Sequence, residues 1–361
     1  MWTREPVEDR VRPLARLLVA VLIAGVCAAL LQWLSDAPHR RTDMDILWHA
    51  VRHLRSGGDP YGPGGPGPGY EGDFPMYYPG TALAAFLPLA LLPLEAARLV
   101  FACGGAFLLA YAATREGWFR LPMFLSGAFL HAVLAVQWSP LLTAAWLVPG
   151  WAWLAASKPN LGAVLLSATP SWRIWRSTFA GGFFLLGASL VLDPAWPVKW
   201  LALLRGAPHF IPPVLLPGGF LLLAALLRWR RPEARLLVAL GCIPHTTVAY
   251  EALPLLLVAR NWRESWLLCG LSLSVFFLQI ASDTRVAGAP TPERIAAFAE
   301  LAERTGMLSV ALLYLPATLL VLRRPNEGPA PAWAAWLAGR LSAAATTGLG
   351  RAGVAAEPRD S

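Results

Sequence analysis

The residues best suited to chemistry lie in one polar segment, residues 35–80, between two apolar segments of the chain. Asp43 and Asp45 stand there at the start of a predicted helix. Free backbone N–H groups and the helix dipole stabilise an ionised carboxylate in a first helical turn, and a carboxylate can accept a proton from a hydroxyl. We therefore take Asp43 as a candidate general base and expect its position to favour the ionised form. Capping of the helix is the alternative role for both carboxylates.

A metal site is the second interpretation of the same segment. Asp45, His49 and His53 recur every four residues and therefore share one face of a helix. Carboxylate and imidazole groups together can hold a divalent ion. Histidines at this spacing are more often polar surface of a helix, and we expect neither a metal nor another cofactor.

An amphipathic helix should position these groups. Thr42 is a suitable N-cap with Asp45 three residues later, and Gly57 follows the last helical turn. Apolar residues recur between them at helical spacing, which predicts a helix that rests in the membrane interface. The stripe consists of Ile46, Leu47, Ala50, Val51 and Leu54.

The composition indicates an integral membrane protein. Of the 361 residues, 56% are hydrophobic and only 14% are charged, whereas an average soluble domain is about 25% charged. The apolar segments predict an all-α polytopic fold with about ten to twelve transmembrane helices, several of them broken by proline. The net charge of +8 comes mainly from arginines in the short gaps between apolar segments, so it indicates membrane topology and not a nucleic-acid partner.

The same charges predict the topology. Arginines before the first span and in alternate later gaps place both termini in the cytoplasm. The polar segment 35–80 then lies outside the cytoplasm, in the first external loop. We expect a cytoplasmic tail over 1–13, one membrane domain over 14–325 and a disordered cytoplasmic tail over 326–361.

Lys158 and His245 are ionisable residues beside prolines at the ends of apolar segments. Ionisable side chains at membrane depth are functional candidates by default. The alternatives are a lysine that extends to the lipid headgroups and a histidine satisfied within the core.

Several short motifs are spread along the chain: Asp43-Met44, Gly58-Asp59-Pro60-Tyr61, Phe74 to Pro79, Gln137, Lys158-Pro159-Asn160, and Ile243-Pro244-His245 with Tyr250. Together they resemble the motifs of glycosyltransferase family 87, a family of the multi-spanning GT-C class. Met44 departs from the family pattern, which has an aromatic residue there, and Trp138 stands where the pattern has asparagine.

The resemblance implies transfer of a sugar, mannose first of all, from a polyprenyl-phosphate donor to a glycan or glycolipid acceptor outside the plasma membrane, with inversion. Asp43 would be the general base. Cations would stabilise the leaving phosphate; the candidates are Lys158, His245, Arg40 and Arg41. Secondary candidates are Asp45, His49, Tyr61, Tyr78 and Gln137.

Two other classes of protein fit the sequence. A transporter or flippase would also have broken helices and intramembrane charges, although we detect no inverted repeat. A GT-C-like scaffold that binds lipid-linked glycans without catalysis is the third interpretation. The depth and surroundings of Asp43 discriminate among the three.

Overall fold

A computed structural model describes residues 12–33, 42–72, 74–169, 171–207, 210–244, 249–283, 291–331 and 333–340. Over these ranges the chain is helical and contains no β-strand, as the composition predicts. The α-helices before residue 170 are α1 (Pro13–Trp33), α2 (Asp43–Arg55), α3 (Gly80–Phe86), α4 (Leu94–Ala113), α5 (Gly127–Leu134), α6 (Ser139–Leu147) and α7 (Pro159–Ala168).

The later α-helices are α8 (Trp172–Leu192), α9 (Trp196–Leu204), α10 (Pro232–Cys242), α11 (Trp262–Ala281), α12 (Thr291–Ser309) and α13 (Leu315–Leu322). A π-helical turn, Val310–Tyr314, joins α12 to α13. The 3₁₀ helices are Leu89–Leu91, Thr114–Glu116, Trp118–Leu125, Pro149–Ser157, Pro213–Leu215, Gly219–Arg228 and Ala249–Val258. Residues 333–340 form a further short helix.

Five helices in the described ranges are long and apolar enough to cross a membrane. They are Pro13–Trp33, Leu94–Glu116, Trp172–Leu192, Trp262–Ala281 and Pro292–Leu322. A sixth span results if α5 and α6, which meet at an angle of 119°, count as one broken span. The number is below the ten to twelve expected because the remaining apolar segments form short α-helices and 3₁₀ helices. Prolines stand at or near the start of several of them, where their missing N–H ends the preceding element.

Arginines gather at one end of the bundle, which we call the basic end. The carboxylate of Glu233 at the start of α10 lies 2.9 Å from Arg260, 3.2 Å from Arg324 and 3.3 Å from Arg231. Arg324 also pairs with Glu264 at 2.6 Å. The network ties α10, α11 and α13 together beside the segment after α13, and it gathers arginines that the charge pattern assigned to one side of the membrane.

The segment that follows α13 is attached to the basic end. Arg231 donates to the carbonyl of Pro325 at 2.5 Å, and the backbone N–H of Arg230 donates to the Asn326 side chain at 3.0 Å. Gly328 packs against the Arg230 carbonyl. The first residues of the predicted C-terminal tail are therefore bonded to the bundle, whereas 341–361 lie outside the described residues.

The helix α8 begins shortly after Ala168, whose carbonyl accepts from Arg235 of α10, and the far end of α8 leads to α9, which contacts the loop 57–79. The helix α2 is bonded to the start of α4, since the Trp48 indole donates to the Leu92 carbonyl at 2.9 Å. Its predicted apolar stripe is largely buried, and so are Met44 and Asp45 on another face. The helix is thus packed within the protein on more than one side, which an interfacial helix does not require.

Candidate active site

The predicted cap of α2 is present. The Thr42 hydroxyl donates to Asp45 at 2.6 Å and the Thr42 backbone N–H donates to the same carboxylate at 2.8 Å. Arg98 of α4 adds two charge-assisted bonds to Asp45, at 2.8 and 2.5 Å. Because both Asp45 oxygens are occupied in a buried setting, this carboxylate has a structural role. The end of the helix is also as predicted, with Gly57 in the left-handed region at φ 83°.

Asp43 differs from Asp45 in its access to the exterior. Its side chain is accessible, whereas the side chains of Met44 and Asp45 are buried. The side-chain amide of Gln137 donates to Asp43 Oδ2, and the Tyr250 hydroxyl donates to the same oxygen at 3.4 Å. The structure shows no hydrogen bond from a described residue to Oδ1 of Asp43. One carboxylate oxygen is therefore held, and the other, which has no described partner, can accept a proton from a bound molecule.

The pKa of Asp43 is raised from its ordinary value of 3.8 to about 6. The main cause is burial among the surrounding protein, which removes the carboxylate from bulk water although part of the side chain stays accessible. Lys158 and the Tyr250 hydroxyl act in the opposite direction, and the Glu251 charge adds to the increase. The raised pKa contrasts with the expectation that the helix start would favour ionisation, and burial is the largest of its causes. A base with a pKa near 6 is nonetheless well matched to work near neutral pH.

The sharp bend between α5 and α6 brings Gln137 to Asp43. The backbone N–H of Asp43 donates to the Ala135 carbonyl at 3.0 Å, so backbone and side chain of Asp43 both contact this bend. Val136 lies between them with φ 50°, the single non-glycine residue with positive φ in the ranges described. A β-branched residue is strained in this region, and such strain persists where the surroundings impose it. The bend directs Gln137 inward, where it is 3% exposed.

Lys158 stands at the junction of the 3₁₀ helix Pro149–Ser157 and α7, as the Pro159 break predicted. Its ammonium lies 2.5 Å from Glu251 and 3.5 Å from the side-chain oxygen of Gln137. It also lies 5.4 Å from the centre of the Tyr250 ring. Lys158 and Glu251 are 9% and 3% exposed, so the pair is buried, which is tolerated because the charges are matched.

The Gln137 amide joins the two charged centres. Its N–H₂ group faces the Asp43 carboxylate, and its oxygen faces the Lys158 ammonium. This is the orientation in which each end of the amide meets the charge it can bind. Asp43, Gln137, Lys158 and Glu251 therefore form one connected polar cluster.

The aromatic residues of the loop 57–79 line the same region. The hydroxyl of Tyr61 donates to the Tyr78 carbonyl at 3.1 Å, and Tyr61 is buried. Burial raises the pKa of Tyr78 well above its ordinary value, with further contributions from Asp43 and Glu251. Both carboxylates therefore act electrostatically on Tyr78, and its hydroxyl stays neutral. Tyr61 fixes the backbone beside it.

The structure does not assemble the alternative metal site. The Asp45 carboxylate is bonded to Arg98, and His49 Nδ1 lies 3.1 Å from the Pro68 carbonyl. The His53 ring packs against Gly58, where an added Cβ would lie 2.0 Å from it. In the part of the chain that is described, no three His, Cys, Asp or Glu side chains converge as metal ligands would.

The other predicted cations, Arg40, Arg41 and His245, lie outside the described residues. Glu251, by contrast, is a central member of the cluster that the sequence did not identify as a site residue. Its signal was an acidic residue inside the apolar segment 249–258, which is uncommon unless the charge has a partner. Nothing in the sequence marks Val136 as strained.

The cluster can therefore accept a proton at one accessible carboxylate and hold an anion near one buried ammonium. Comparison with protein-family models, with curated proteins and with solved structures finds no match to this chain. The argument for function accordingly starts from the geometry of these side chains.

Proposed function

We propose that this chain is a membrane glycosyltransferase that transfers a sugar, mannose in the first instance, from a polyprenyl-phosphate donor to a glycan or glycolipid. The observation that supports it most is that two carboxylates on one helical turn have different surroundings. Asp45 is buried and paired with Arg98, whereas Asp43 is accessible and has one oxygen without a described partner. A carboxylate with a structural role alone would not need this access.

In the proposed reaction, Oδ1 of Asp43 takes the proton of an acceptor hydroxyl. The acceptor oxygen forms a bond to the anomeric carbon as the bond between that carbon and the phosphate oxygen breaks. The electron pair of the broken bond leaves with the lipid phosphate. A single displacement of this kind inverts the anomeric configuration. No cofactor takes part.

The departing phosphate gains negative charge, and a nearby cation would stabilise it. Lys158 is the cation nearest to Asp43 in the cluster, and Gln137 bridges the two. Glu251 already neutralises Lys158 in the resting site. Binding of the donor therefore requires Lys158 to be shared between Glu251 and the phosphate, or further cations from Arg40, Arg41 and His245.

The proposed location follows from the arginine distribution. A basic end that faces the cytoplasm satisfies the positive-inside rule, and the cluster around Asp43 then opens away from the cytoplasm. A cysteine at Gly64, which is exposed in the loop 57–79, tests this orientation. Labelling of that cysteine in intact cells by a membrane-impermeant maleimide is the expected result, and labelling only after lysis would reverse the topology.

The decisive experiment measures transfer of labelled sugar from polyprenyl-phosphate-mannose by membranes that contain the wild-type chain, Asp43→Asn or Asp45→Asn. Both variants remove one negative charge from the same helical turn, so Asp45→Asn is the matched control. We expect transfer by the wild type and by Asp45→Asn, and a loss of about 10²–10⁴-fold in Asp43→Asn. Full transfer by Asp43→Asn would remove Asp43 from the mechanism.

Transport of a lipid-linked or small substrate is the second candidate. The observation in its favour is the 119° break between α5 and α6 beside the buried Lys158–Glu251 pair, since transporters use broken helices around charged sites. Passage of a fluorescent lipid-phosphate across proteoliposomes separates the two functions. Passage without transfer of sugar supports transport, and binding of the donor with neither activity supports a non-catalytic scaffold.

A further inference from the structure

The short helix α9 holds the loop 57–79 from one side. The Trp200 indole donates to the Tyr77 carbonyl at 2.9 Å, and the Lys199 ammonium lies 3.1 Å from Asp59. The Trp196 ring packs directly on Gly80, where an added Cβ would come within 2.6 Å of it. These contacts extend from the beginning of the loop to its end.

The residues that make these contacts lie on one face of α9. Positions 196, 199, 200 and 203 follow the spacing of a single helical face, and Leu203 at the last of them packs against the core. Lys199 is further fixed by Asp193 at 3.0 Å, just beyond the end of α8. The inward face of α9 is thus fully engaged with the protein.

The opposite face of α9 is apolar and uncovered. Val198 and Leu201 are 74% and 55% exposed, and Ala202 beside them is exposed as well. Arg205 continues this face by one more turn and adds a positive charge at its end. A helix with an apolar face bounded by a basic residue is typical of helices that lie in the interface of a bilayer.

The position of α9 along the bundle identifies what covers this face. The helix begins shortly after α8 ends at Leu192, and α8 is one of the candidate spans. Phe183, Phe184 and Val191 of α8 are 71%, 73% and 85% exposed. The exposed apolar residues of the candidate span thus extend to Val191, and the exposed apolar residues of α9 begin a few residues later at Val198.

We propose that α9 is an interfacial helix whose outward face lies in the lipid bilayer and whose inward face positions the candidate active site. The connection to the site is direct in the chain, because Trp200 binds the carbonyl of Tyr77 and the next residue is Tyr78. The charges of Asp43 and Glu251 both contribute to the raised pKa of Tyr78. The contact with the bilayer stands independently of the proposed function, and only the effect on sugar transfer rests on it.

The first test measures depth in the membrane. A nitroxide is attached at Leu201→Cys, Phe184→Cys or Gly64→Cys in full-length protein whose native cysteines are replaced, reconstituted in nanodiscs of phosphatidylcholine and phosphatidylglycerol. We expect the label at 201 to be accessible to oxygen, as is the label at 184, and protected from a water-soluble nickel complex. A label at 201 that is as accessible to nickel as the label at 64 would overturn the proposal.

The second test measures the coupling between α9 and the site without any assay of activity. The double variant Val198→Asp/Leu201→Asp charges the outward face, whereas Val198→Ala/Leu201→Ala shortens it and keeps it apolar. We expect amide exchange in residues 74–80 to become about tenfold faster in the charged variant and to stay near wild type in the control. Unchanged exchange in the charged variant would show that α9 does not position this segment.

Sugar transfer provides the last comparison. Trp200→Phe keeps the ring and removes the N–H that binds Tyr77. We expect this variant to keep its depth in the membrane and to show faster exchange in 74–80 with slower transfer. If the wild type transfers no sugar, the proposed function fails, while the depth and exchange results still decide the role of α9.

Discussion

Gln137 donates a hydrogen bond to Asp43 across 94 residues of sequence, and the other end of the same amide faces Lys158 at 3.5 Å. The amide therefore links a proton acceptor to a cation without adding charge. It also holds one carboxylate oxygen of Asp43, whereas no described residue donates a hydrogen bond to the other. Gln137 is thus a positioning residue for the proposed reaction.

Gln137→Glu tests this role. A second carboxylate beside Asp43 disfavours its ionised form by like-charge repulsion, so the pH at which transfer is half-maximal should rise by roughly one unit or more. Gln137→Met is the control, because it keeps the length of the side chain and adds no charge. It should lower transfer with a much smaller displacement of the midpoint. The measurement is kcat/KM for the acceptor between pH 4.5 and pH 9, which is roughly the range over which carboxylates and histidines titrate. Equal midpoints in the two variants would contradict the electrostatic argument.

The pH dependence of the wild type follows from the pKa of Asp43, which is about 6. A general base acts only when it is deprotonated, so kcat/KM should rise with pH through about 6 and then level off. A profile that is flat between pH 5 and pH 7 would show that Asp43 is not the titrating base in the free enzyme.

The contribution of Asp43 to the free energy of unfolding should fall as pH rises, whereas kcat/KM should rise. Folding raises the pKa of Asp43 from 3.8 to about 6, so between these values the folded state binds more protons than the unfolded state. The contribution of Asp43 to stability is present below 3.8 and is lost as pH rises to about 6. Asp43→Asn cannot titrate and should lack this loss. Thermal unfolding of both proteins in detergent at a series of pH values gives the comparison, and a difference in Tm that does not vary with pH would contradict it.

The sequence predicted the chemistry around Asp43 only in part. The capping box of Thr42 and Asp45, the end of α2 at Gly57 and the first span are local features, and the structure confirms them. Their physical basis is a spacing of a few residues, which can be read directly from the chain. The helical fold without described strands follows from composition in the same way.

The rest depends on contacts between distant segments. Arg98 neutralises Asp45 across 53 residues, and Glu251 pairs with Lys158 across 93. No local pattern encodes such pairs. The sequence therefore could not show that Asp45 is held in an ion pair and that Asp43 is not. The position of Asp43 at a helix start is a local feature that favours ionisation, whereas the burial that raises its pKa comes from segments distant in sequence.

The Lys158–Glu251 pair should show strong coupling. Lys158→Met leaves the Glu251 carboxylate buried without its partner, which destabilises a protein by about 3–5 kcal/mol. The double variant Lys158→Met/Glu251→Leu removes both charges and should recover much of that loss. Chemical denaturation in mild detergent measures Lys158→Met, Glu251→Leu and the double variant, and simple additivity of the two single changes would show that the pair is not coupled. Sugar transfer should stay low in the double variant, because the cation itself is required.

Substitutions of Asp45 and of Asp43 should affect stability and activity separately. Asp45→Ala removes the partner of the buried Arg98 and the cap of α2. We expect the free energy of unfolding to fall by an amount toward the lower end of roughly 3–5 kcal/mol, because Arg98 keeps its bond to Glu95 at 2.5 Å.

The Asp45→Ala molecules that stay folded should transfer sugar at a rate near that of the wild type. Asp43→Asn should give the reverse result, with stability above that of the wild type near pH 7 and a loss of transfer of about 10²–10⁴-fold. Active-site titration with a radiolabelled donor counts the folded molecules, so that turnover per site can be compared between the variants. Equal losses of turnover per site in both would show that the two carboxylates act as one structural unit, whereas the crossed result would assign the proton transfer to Asp43 and the support of α2 to Asp45.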